Sequence, residues 1–263
     1  MSAETVKGAI IRREEFAFSA FDWGRVAEPV GPAIGARKVR LNVVEVAPNA
    51  VWRQGWSFEE ENVVVVFAGS GHGDVGSART GLRRTSALYS PTGRTLELTA
   101  GAEGLTAYVW RSKLAGGEPE GASPKTAGAL TDSDSQLRGF SGIGEAPTEG
   151  EGAVMNFVFW PGSGSARLCL HCGVQQPGQT FNVHIHPESE EAFIAVEGAG
   201  QLYMHDQWND VLPGDVLYAP PGIPHGARNP HTGPDAEPFT TCGGPTPFDP
   251  ALYHAAGVSP DVK

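Results

Sequence analysis

The stretch from Gly178 to Asn229 constrains this chain more than any other. It reads GQTFNVHIHPESEEAFIAVEG, passes through a short hairpin, and closes with GDVLYAPPGIPHGARN. His184 and His186 stand two apart in a run with strand character. Strand side chains alternate faces, so both imidazoles point the same way. Pro187 opens a turn, after which Glu190 or Glu191 supplies a carboxylate. The stiff turn Pro220-Pro221-Gly222-Ile223-Pro224 then delivers His225. Three imidazoles and one carboxylate from neighbouring strands make a mixed nitrogen and oxygen site suited to a divalent first-row metal.

The rest of the chain reads as strands and turns. Among 263 residues there are 35 Gly and 21 Pro, which end regular structure and favour many short strands over long helices. The net charge of −11 repels phosphate backbones and argues against a nucleic-acid partner. The opening MSAETVKGAIIRREEF has no long apolar core and no cleavage site, so no signal peptide is expected. No apolar run approaches the roughly 18–20 residues that span a bilayer, so no membrane partner is expected either. Three cysteines, an odd count, fit a reduced cytoplasmic protein.

Taken in order, residues 1–33 read as an N-terminal arm that packs Phe16, Phe18, Phe21 and Trp23 on a barrel, with room for one strand. Residues 34–112 hold the valine-rich runs VRLNVVEV, ENVVVVFAG, TLELTA and LTAYVW. Residues 113–150 shift to Gly, Pro, Ser, Thr and Glu, a linker composition. Strand-like runs resume in 151–245, and 246–263 is a tail with room for one helical turn near Ala251–Ala256. Gly69-Ser70-Gly71 aligns with Gly198-Ala199-Gly200, ALYSPTG from Ala87 with VLYAPPG from Val216, and Pro48 with Pro177. All three landmarks share one offset of 129 residues, which reads as two copies of one domain.

Both halves of the Gly178–Asn229 stretch resemble the signature motifs of the cupin superfamily. The pattern G-x5-H-x-H-x3,4-E-x6-G is met by Gly178, His184, His186, Glu191 and Gly198. The pattern G-x5-P-x-G-x2-H-x3-N is met by Gly214, Pro220, Gly222, His225 and Asn229. With the internal repeat, the resemblance implies an all-β chain of two tandem jelly-roll (cupin) β-barrels, a bicupin. It implies one divalent metal ion per chain (Fe, Mn, Ni or Zn) held by His184, His186, Glu191 and His225. The x6 spacing to Gly198 selects Glu191 over Glu190, and alternation then turns Glu191, Phe193 and Ala195 inward. The offset maps the four ligands onto Gly55, Ser57, Asn62 and Leu96, none a good ligand, so the N-terminal barrel is expected to lack a metal. Cupins often dimerise, so a homodimer is the expected assembly.

Other residues are weighed against plainer roles. Asn182 and Phe193 are pocket candidates by parity, and Tyr203 and His205 share a face of the next strand. Cys169-Leu170-His171-Cys172 looks like a redox or zinc motif, but strand residues three apart lie roughly 10 Å apart on opposite faces. A disulfide there would bend the chain. His171 and Cys172 differ in parity, so one of the two faces the pocket. Glu188 and Glu190 read as a solvated turn, and Arg167 as a surface residue.

Four protein ligands on a six-coordinate metal leave two open positions. Three functions fit them: an oxygenase acting on a small enediol, diketone or catechol-like substrate, a redox-neutral isomerase or lyase of a sugar or keto acid, and a non-catalytic binding module. Family frequency puts the oxygenase first. A His or Lys near the metal would favour the redox-neutral reaction, and a shortage of acid–base residues the oxygenase.

Overall fold

The structure, a computed structural model, describes residues 7–55, 59–113, 124–132, 136–140 and 153–249. Ser57, the remainder of the 113–150 segment and the tail beyond Asp249 lie outside the described residues. The described chain is almost entirely β. No helix in it is long and apolar enough to cross a membrane.

Three sheets account for the strands. In one, the order is Ala127–Ala129, Ser86–Ser90, Glu61–Val75, Leu96–Ser112, Arg40–Val46, Gly24–Val30 and Ser19–Phe21, with Val51–Arg53 and Ala78–Arg83 attached. In the second it is Ala9–Ile11, Val216–Ala219, Glu190–Glu197, Phe239–Thr246, Leu170–Gln175, Ala153–Phe159 and Gln136–Phe140. The third contains Thr180–His184, His225–Arg228, Gly200–Met204 and Gln207–Val211.

Alternation along the apolar strands builds three cores. Val64, Val66, Leu98 and Val109 fill the N-terminal half, and Phe157, Phe193, Leu202 and Phe239 fill the C-terminal half. The opposite faces of the same strands, including Val63, Val65, Tyr108, Ala192, Ile194 and Val216, share a third core between the halves. The run Val63–Val66 is therefore buried on both faces, which is why it is apolar throughout instead of alternating.

The 129-residue offset recurs in the backbone. Gly35 and Gly164 end equivalent 3₁₀ turns at φ 88° and 89°, and Gly93 and Gly222 stand at 76° and 75°. Left-handed backbone persists even where the residue type changes: Asn49 and Gly178 at 59° and 82°, Gly76 and His205 at 59° and 54°, Thr85 and Gly214 at 70° and 99°. Gly69 and Gly198 show why the smallest residue is kept. Both have positive φ, and a Cβ there would collide with the carbonyl oxygen of Gly104 or Pro238.

The halves also clamp each other reciprocally. Glu190 accepts backbone N–H bonds from Arg37 at 2.9 Å, Lys38 at 2.8 Å and Val39 at 3.1 Å. Shifted by 129, Glu61 accepts the N–H groups of Ala166 at 3.3 Å and Leu168 at 2.8 Å, and the Tyr89 hydroxyl at 2.7 Å. Glu190 is thus buried and fully engaged, not part of a solvated turn. Burial is the largest influence on Glu61 and raises its pKa, against the hydrogen bonds from Tyr89 and Leu168.

Two stretches carry more structure than their composition announces. The arm contributes three strands: Ser19–Phe21 and Gly24–Val30 extend the N-terminal sheet, while Ala9–Ile11 crosses to pair with Val216–Ala219 of the C-terminal half. Arg12 seals that crossing with an ion pair to Asp215 at 2.9 Å. Within 113–150, Ala127–Ala129 pairs with Ser86–Ser90 and Gln136–Phe140 pairs with Ala153–Phe159. A few residues of backbone suffice to add an edge strand, because pairing needs N–H and C=O groups more than side chains.

Candidate metal centre

The strand pairings bring the four expected ligands together. His184 pairs directly opposite His225, and Glu191 lies on the neighbouring sheet opposite Ala219. One potential ligand atom from each of His184, His186, Glu191 and His225 lies within 4.8 Å of the others. His186 Nε2 is 2.9 Å and His225 Nε2 2.8 Å from Glu191 Oε2. The rings of His184 and His225 are 4.5 Å apart.

The Nδ1 atoms are occupied away from the cluster. His184 Nδ1 donates to the Asn182 carbonyl and His225 Nδ1 to the Ile223 carbonyl, each at 2.8 Å. His186 Nδ1 meets Asp249 Oδ2 at 2.9 Å. Each contact turns the Nε2 edge of its ring inward, the orientation that metal-binding histidines require. This chemistry fits a divalent cation.

Burial and proximity set the charges. Burial, helped by His225 and His186, lowers His184 to about 3, which keeps its imidazole neutral. Burial also opposes charge on His186, but Asp249 and Glu191 outweigh it and raise that group to about 9. Burial works against the Glu191 carboxylate as well. The imidazoles of His171, His186 and His225 still hold it well below the usual carboxylate range.

A small cavity of about 30 Å³ adjoins the cluster, lined by Met155, Phe181, Phe193, Ala227 and Thr241 around His171, His184 and Glu191. By this measure it has room for about two waters or a fragment of that size. His171 is the parity-selected member of its pair: its Nε2 lies 3.4 Å from Glu191 Oε1, and its buried Nδ1 has no hydrogen-bond partner. Cys172 faces the core between the halves and Cys169 the core of the C-terminal half, and neither is in a disulfide.

Of the pocket candidates, Phe193 lines the cavity. Asn182 contributes its carbonyl to His184, while Phe181 lines the cavity. The pairing register slips between Phe181 and His184, so simple alternation from the histidines fails there. Tyr203 packs on Trp208 with rings 5.3 Å apart, on the face opposite the buried Leu202 and Met204. His205 stands in the hairpin turn, its Nε2 2.8 Å from the Gly8 carbonyl. Both lie away from the cavity because the core side of their strand belongs to Leu202 and Met204. The residue that sequence reasoning missed is Asp249, 63 positions from its partner and outside both motifs.

Comparison with known proteins agrees with this geometry. Residues 174–238 match the family model described as cupin domain. The fold is similar to that of protein Ylba from E. coli, at 14% identity and a TM-score of 0.69, covering 94% of this chain and 93% of that one. It is also similar to a single-residue variant of oxalate decarboxylase from Bacillus subtilis, at 12% identity and a TM-score of 0.67, covering 94% and 79%. A further oxalate decarboxylase structure from Bacillus subtilis, 14% identical with a TM-score of 0.67 and the same coverage, concerns the Mn(II) centres of that enzyme. None of the curated proteins matches the chain in sequence. The fold is cupin-like, and it carries a cluster able to hold a divalent metal.

Proposed function

We propose that the chain is a tandem pair of cupin barrels in which the C-terminal one catalyses a metal-dependent, redox-neutral reaction, an isomerisation or lyase step, on a small chelating substrate. Support for the tandem arrangement comes from the shared left-handed positions, the separate cores and the reciprocal Glu61 and Glu190 clamps. His184, His186, Glu191 and His225 would hold the metal. When bound, it would supply Lewis-acid polarisation of a substrate carbonyl or carboxylate oxygen.

The observation that carries the reading is His171, an imidazole beside Glu191 in a small, mainly apolar cavity. It has one ring nitrogen toward the carboxylate and the other unpartnered, so it can accept a proton at one atom and release it at the other. Met155, Phe181, Phe193 and Ala227 surround that imidazole with apolar surface and leave little room for water. This acid–base group moves the balance away from the oxygenase that family frequency alone favours. The oxygenase on an enediol, diketone or catechol-like substrate stands as the second reading, supported by the two positions that a four-ligand set leaves open.

The test is turnover of metal-loaded protein on a panel of hydroxy acids, keto acids, dicarboxylates and aldose or ketose sugars, with and without oxygen. Equal rates in both, and a loss of about 10²-fold or more in His171→Gln, are expected. Turnover that stops without oxygen would transfer the assignment to the oxygenase.

A further inference from the structure

The three histidines of the cluster are not held alike. His184 and His225 each give Nδ1–H to the carbonyl two residues before them, a local contact with a neutral acceptor. His186 differs: its Nδ1 faces a carboxylate that arrives from far along the chain, Asp249 Oδ2 at 2.9 Å. The His186 side chain is 1% exposed and that of Asp249 14% exposed, so the contact is shielded from water.

The chain that delivers Asp249 is tied down residue by residue. Thr246 pairs with Glu190 at the end of the strand that also carries Glu191. Ser189 Oγ donates to the Pro247 carbonyl at 2.6 Å. Phe248 N–H donates to the Arg167 carbonyl at 3.0 Å, and its ring packs on Trp160 with centroids 5.9 Å apart. Asp249 follows immediately, so the same anchors that close the strand set the carboxylate against His186.

We infer that Asp249 is a positioning residue for the metal centre, holding His186 in the Nδ1–H tautomer and making its Nε2 the most electron-rich of the three imidazole donors. The inference rests on the metal reading above. A carbonyl acceptor fixes a tautomer, but a carboxylate also adds negative charge behind the ring and strengthens the ligand. His186 therefore contributes more to affinity than its two neighbours, through a residue that lies outside both histidine motifs.

The test is competition titration of Mn²⁺ and of Zn²⁺ against a chelator, using the full chain and its Asp249→Ala and Asp249→Asn variants. Thermal melts establish that each variant is folded. Asp249→Ala is expected to weaken both metals about 10–100-fold. Asp249→Asn, which keeps an acceptor oxygen but loses the charge, is expected to fall between it and the unaltered chain. Nitrogen-detected NMR supplies a second readout: the protected His186 Nδ1–H signal of the metal-loaded chain should vanish in Asp249→Ala. If Asp249→Ala does not fold, the Asn variant and its His186 signal decide the matter. Unaltered chain that takes up neither metal would overturn the metal reading and this inference with it. Unaltered chain that binds, with Asp249→Asn and any folded Asp249→Ala binding equally well, would overturn the inference alone.

Discussion

The corresponding interiors of the two halves solve the same problem with different chemistry. In the C-terminal half, Glu191 faces Pro245 across one strand pair and Ala219 across the other, and it gathers His171, His186 and His225. In the N-terminal half, Asn62 occupies the matching position, facing Arg111 and Ser90. Leu96, the counterpart of His225, is buried among apolar side chains. Asn42, the counterpart of His171, accepts a 2.9 Å bond from Arg111 Nε. The same guanidinium reaches Glu60 at 3.0 Å and Glu28 at 2.6 Å. One interior gathers a cation-binding set of imidazoles and a carboxylate. The other carries its cation covalently, as an arginine already paired with its counter-ions. Turns and apolar faces set the fold of each half, while the polar residues of its interior are free to differ.

The largest effect should come from the ligands themselves. His186→Ala or His225→Ala is expected to abolish retained metal, measured by elemental analysis of purified protein. Leu96→Ala, at the matching position of the other half, should leave metal content unchanged. Metal retained in His225→Ala would break the comparison at its strongest point.

Next is the covalent cation. Arg111→Ala strands the buried Glu60 carboxylate and should cost about 3–5 kcal/mol in denaturant unfolding. Metal content in any protein that remains folded should be unaltered. Arg111→Met, closer in volume, likewise removes the cation beside Glu60, and a full recovery of stability would show that packing, not charge, is what matters there.

The reciprocal clamps sharpen the symmetry. Glu190→Gln and Glu61→Gln each remove a charged acceptor from buried backbone donors and should cost about 1–3 kcal/mol. Glu191→Gln should instead act chiefly on metal content. If Glu190→Gln strips the metal while Glu191→Gln does not, the register of the Glu190–Glu197 strand is misassigned.

The smallest effect is one of protons. Without metal, Asp249 and Glu191 hold His186 near a pKa of about 9, so at pH 7 it carries a proton that it must lose to become a ligand. Below that pKa the proton competes, so affinity should rise with pH up to about 9. Uptake at pH 7 should release about one proton per metal, read from buffer-dependent binding heats.

How much of this could be read in advance depends on how local each feature is. His184, His186, Glu191 and His225 were legible because two motifs fix their spacing within one short stretch. Phe193 followed from alternation along an unbroken strand. Asn182 did not, because the register slip beside it is invisible to a period-two pattern. Glu190 looked like a surface acid because its three donors, Arg37 to Val39, come from the other half. Asp249 and the crossing of Ala9–Ile11 were equally hidden, each made by chain segments far apart in sequence. The left-handed positions lie between these extremes: glycine marks many of them, but Asn49, Thr85 and His205 adopt the same backbone unannounced.

The central claim is that one end of one half holds a single catalytic metal, while the matching end of the other carries an arginine instead. Elemental analysis of freshly purified protein tests it most directly, run beside His225→Ala and Arg111→Met. One divalent ion per chain, lost in His225→Ala and retained in Arg111→Met, is the predicted result. Two tightly bound ions per chain, or an ion that survives His225→Ala, would contradict it.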